Sequence, residues 1–115
     1  MLIRHVKKER TELDVHEWNG TVQAYVKSID SFEALVFNDY ARDFFDRSLS
    51  CAERFKAAFN AAKMVLVDSQ NKPLLTDDDY EAIRYADFAP IFRVFTVVLN
   101  ASTDGDAPVE SAKKN

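Results

Sequence analysis

Apolar and polar positions along the chain change period several times, and each change marks an element. Over residues 11–29 they alternate. Leu13 and Val15 can share one strand face, and Val22, Ala24 and Val26 alternate with Gln23, Tyr25 and Lys27. Between the two runs stands Asn19-Gly20, the dipeptide type that best tolerates the positive φ angles of a type I′ turn. The pattern predicts an N-terminal β-hairpin closed at Asn19-Gly20.

From Asp30 the spacing becomes helical. Asp30 can cap a helix while Glu33 reaches back as the capping-box acid. Phe32, Leu35, Val36, Tyr40 and Phe44 then follow the three-to-four spacing of one helical face. Ser50 and Glu53 repeat the same start signal, and Phe55, Phe59, Ala62 and Leu66 form the next stripe. Asp46, Arg47 and Ser48 mark the break between these two helices. The run KMVLVDSQNKPLL reads in two ways. It is either a short second hairpin near residues 65–75, with Pro73 confined to an edge, or a helix that reaches Val67 and ends in a loop.

A third helix is predicted from Thr76 to Arg84 or Tyr85. A fourth covers Phe88 to Ala101, with Pro90 tolerated in its first turn. On it Phe88, Ile91, Phe92, Phe95, Val98 and Leu99 make a continuous face, with Val94 and Val97 off that stripe. STDGDAPVESAKKN has no apolar period. The expectation is an α+β fold: an N-terminal hairpin, four helices, one globular domain over residues 1–101, and a disordered tail over 102–115.

Composition narrows the function classes. The chain has 115 residues, 47% hydrophobic and 30% charged, with a formal net charge of −4. An acidic balance argues against nonspecific binding to nucleic acid or to an anionic membrane surface. No window approaches the ~18–20 apolar residues of a membrane span, and the N-terminus is too polar for a signal peptide. Cys51 is the only cysteine, so an intracellular, reducing compartment is the default. Its place at the start of an apolar helical pattern predicts a small buried thiol.

The candidate chemistry is sparse. Asp77, Asp78 and Asp79 could be metal ligands or catalytic carboxylates. Thr76, however, is a good N-cap, and acids in a first turn are stabilised by the helix dipole. A calcium loop beginning at Asp68 would place Gln70, Lys72 and Pro73 where the template needs two Asp or Asn and a Gly. His5 and His16 have no matching cysteines, and a strand setting for His16 excludes a two-His zinc site on one helix. With two glycines there is no phosphate-binding loop. We expect no cofactor, no metal and no enzymatic activity.

The aromatic load is more informative. Nine Phe, four Tyr and one Trp exceed what a modest core needs, and adjacent residues such as Phe44 and Phe45 diverge by about 100° on a helix. Two readings of the surplus stay open: a compact helical layer that covers both sides of these helices, or an exposed apolar patch that binds a helix, of a partner or of another copy. The residues expected there are Phe45, Val94 and Val97.

Taken in order, EWNGTVQAYVKSI, AAKMVLVDSQNKPLLTDDDYEAI and VVLNAS resemble the tail assembly chaperones of long-tailed bacteriophages and prophages. That family shows a Trp-Gly-type hairpin, a run ending in Val-Asp, a polar turn, Pro-Leu, Thr-Asp-Asp-Asp, and a Leu-Asn near the end of the last helix. The resemblance covers roughly residues 12–101. The turn DSQNK departs from the family's acidic, Gly-containing one, and Asn19 stands where Gly is frequent. The resemblance implies a non-enzymatic protein in the cytoplasm of the bacterial host. Its implied partners are the tape-measure protein, whose hydrophobic helix it keeps soluble, and the tail-tube protein. A small structural tail or connector component, retained in the particle, is the alternative.

Overall fold

The computed structural model describes residues 10–18 and 23–105. The fold is α+β, a three-stranded antiparallel sheet with four α-helices. The strands are β1 (Thr11–Leu13), β2 (Ala24–Val26) and β3 (Leu66–Val67), in the order β1-β2-β3. The helices are α1 (Ser31–Phe45), α2 (Cys51–Val65), α3 (Tyr80–Arg84) and α4 (Ala89–Gly105).

The first two strands pair as expected, with a different register. A two-residue turn at Asn19-Gly20 would set Thr11 opposite Ser28, whereas Thr11 pairs with Val26 and Leu13 with Ala24. The shift is even, so the buried faces survive: Leu13, Val15, Ala24 and Val26 all point into the core. The strand stops at Asp14, whose carboxylate accepts the His16 N–H at 2.9 Å and starts a 3-10 turn over His16–Trp18. His16 is therefore a turn residue, not the expected strand residue. Asn19-Gly20 itself, like His5, lies outside the described residues.

Both helix starts read from the sequence form complete capping boxes. Glu33 N–H donates to Asp30 at 2.8 Å and Glu53 N–H to Ser50 at 3.1 Å, and each Glu returns a bond to its cap residue. Asp46 ends α1, its carboxylate held by the Ser48 N–H and hydroxyl. The buried side of α1 is Phe37 and Ala41, with Phe44 half-buried beside them. Phe32 and Leu35, on the row expected from the spacing, are exposed. Helix α2 explains the rotation. Its buried side carries Ala57, Ala58, Ala61 and Ala62 around Phe59, a small-residue surface that needs large rings from its neighbours to fill the space.

The two readings of residues 65–75 combine. Helix α2 runs to Val65 and passes without a loop into β3, which pairs with β2 through Val67 opposite Tyr25. The chain then reverses, with Asn71 at a positive φ of 65°, and Val67 bridges to Pro73. Pro73 sits at an edge, as its missing N–H requires. The Asp68 carboxylate accepts N–H bonds from Gln70 and Lys72, which hold its pKa below the ordinary value. Arg10 donates to the Ser69 carbonyl at 2.9 Å and to Asn71 at 3.0 Å across the tip.

The third helix starts more tightly than expected, as a 3-10 turn over Asp77–Asp79 before α3. The fourth runs on to Gly105, four residues past its predicted end and into the expected tail; residues 106–115 lie outside the described residues. Helix α4 contacts α2, β1, β2 and the 16–18 turn. Its buried residues Ile91, Val94, Phe95 and Val98 join the sheet, α1, α2 and Ile83 of α3 in one core.

Candidate protein-docking surface

Helices α1 and α4 meet through aromatic rings. Phe37, Phe44 and Phe45 of α1 converge on Phe95 of α4, with centroids 5.3, 5.0 and 6.0 Å away. Phe44 also lies 5.5 Å from Phe88. Aromatic pairs at such separations add cohesion beyond area burial. Phe95 and Phe37 are fully buried, whereas Phe45 stays 51% exposed. Phe92, one turn before Phe95, is 52% exposed. Residues three apart on a helix lie about 60° from each other, so Phe92 flanks the Phe95 face of α4, while Phe45 lies on the ring cluster that joins α1 to α4.

Phe32 and Leu35 are also exposed, at 73% and 65%, but stand about 140° and 80° round α1 from Phe45. Their row continues with Asp39 and Arg42, an exposed ion pair at 3.2 Å. A contiguous exposed apolar patch marks an interaction surface, whereas exposed apolar residues scattered singly are ordinary. Phe32, Leu35 and Phe92 were missed by the sequence reading because the apolar spacing assigned them to core faces.

Of the three residues expected at a partner surface, Phe45 is half exposed. Val94 is not: it is fully buried, facing the core. Val97 packs half-buried against that same core. Val94 is inside because α4 is covered from several directions, so that its buried arc reaches past the single stripe drawn from periodicity. The stripe's margin residue Phe92 takes the exposed position instead.

The candidate chemical groups have structural tasks. Asp77 forms an ion pair with Lys63, which draws its pKa below the ordinary aspartate value. Asp79 accepts the Thr76 N–H at 2.8 Å as a short capping-box acid. Cys51 is exposed at the first position of α2, not buried as expected. The stripe of that helix begins only at Phe55, a full turn later.

One cluster was not foreseen. Asp14, His16 and Glu17 each offer a ligand atom within 4.8 Å of the others. Both Glu17 oxygens accept from Arg93, at 2.7 and 2.5 Å, and Arg93 also donates to the Asp14 carbonyl at 2.8 Å. That guanidinium hydrogen bond lowers the Glu17 pKa, and the pairing raises that of Arg93. Asp14 is lowered mainly by the His16 backbone N–H. With Arg93 placed against it, the cluster works as a clamp between the turn and α4. Trp18 completes the clamp by donating its indole N–H to the Asp87 carbonyl at 2.7 Å.

Comparison with protein-family models, curated proteins and solved structures finds no match. No helix among the described residues is long and apolar enough to cross a membrane.

Proposed function

We propose that the protein is a non-enzymatic tail assembly chaperone of the long-tailed phage kind. In this reading it works in the host cytoplasm, binds a hydrophobic helix of the tape-measure protein and helps to recruit tail-tube subunits. The observation that carries the reading is a pair of half-exposed rings: Phe45, on the ring cluster that joins α1 to α4, and Phe92, one turn before Phe95 on α4. Exposed rings suit the apolar face of an amphipathic helix, the face such a helix presents to its partner. The order of short motifs from the hairpin to Leu99-Asn100 adds a separate line of support.

The physics of the task fits the surface. A long apolar helix aggregates unless its stripe is covered, and covering it requires exposed apolar area on an otherwise charged, soluble carrier. Phe32, Leu35, Phe45 and Phe92 supply the area, and the net charge of −4 supplies the solubility. Co-expression with a tape-measure fragment tests the proposal. The expected result is a soluble complex that co-purifies; an insoluble fragment with no complex would count directly against it.

A further inference from the structure

We draw no further inference here: the strongest candidate, the exposed apolar surface of α1 and α4 at Phe45 and Phe92, belongs to the site already described, the charges Asp39 and Arg42 on α1 pair with each other, and nothing in the structure shows what covers it.

Discussion

Phe92 and Phe95 lie one helical turn apart on α4 and have opposite surroundings. Phe95 sits beneath three rings of α1 and is closed off from solvent, while Phe92 is half exposed. The same contrast separates Phe37 from Phe32 and Leu35 on α1. Residue type does not distinguish the members of these pairs. What differs is whether a neighbouring element arrives on that side of the helix. On the inner side α2 and the sheet pack against α4; on the outer side we place the partner helix.

The largest effect should come from placing charge on the inner side. Val94→Glu would bury a carboxylate at a position with 0% exposure, and a loss of about 4 kcal/mol or more is expected. Urea denaturation followed by circular dichroism would show it. Folded stability near that of the parent would mean that Val94 is not core.

The sequence reading put Ile91, Phe95 and Val98 of α4 inside, where they are, but it put Val94 outside and Phe92 inside, and the reason is physical. Nearly every position from Phe88 to Leu99 is apolar, so the period cannot say which arc is covered. That information comes from α2, β1, β2 and the 16–18 turn, all distant in sequence. Features held within a few residues were legible: the Asp30 and Ser50 capping boxes, the break at Asp46, the acid at Asp79 and the edge position of Pro73. The hairpin partners were legible too, but their register was not, because Arg93 and Trp18 fix the Asp14–Trp18 turn from 69 to 79 residues away. As for the site, Phe45 could be read from its adjacency to Phe44. Phe32, Leu35 and Phe92 could not, since an apolar residue left exposed and one facing the core look alike in sequence.

On the outer side, Phe92→Ser should change stability by no more than about 1 kcal/mol. Phe45→Ser should cost more than Phe92→Ser, because Phe45 also covers Phe95. Equal and large losses at both positions would turn both rings into ordinary core. Between these extremes lie the helix caps. Ser50→Ala removes a bond to the Glu53 N–H and should cost about 1 kcal/mol, read as a lower midpoint in thermal unfolding.

Acidification tests the clamp between the 14–18 turn and α4. Asp14 and Glu17 have folded-state pKa values below their ordinary ones, so their contribution is fully present above the unfolded values, about 4. It is lost as pH falls through the lowered values. Trp18 is the only tryptophan and reports on this turn through its bond to Asp87. Its emission should stay constant from pH 7 to about 5 and shift to the red only at lower pH. The Glu17→Gln variant should show a weaker acid transition than the parent; an unchanged one would remove Glu17 from the clamp.

The most direct test of the outer surface is partner capture by the double variant Phe45→Ser, Phe92→Ser, co-expressed with a tape-measure fragment beside the parent chain. The account predicts that the parent holds the fragment in solution and co-purifies with it. The double variant should remain folded by circular dichroism yet leave the fragment insoluble. Equal capture by a folded double variant would contradict the assignment of Phe45 and Phe92 to the binding surface.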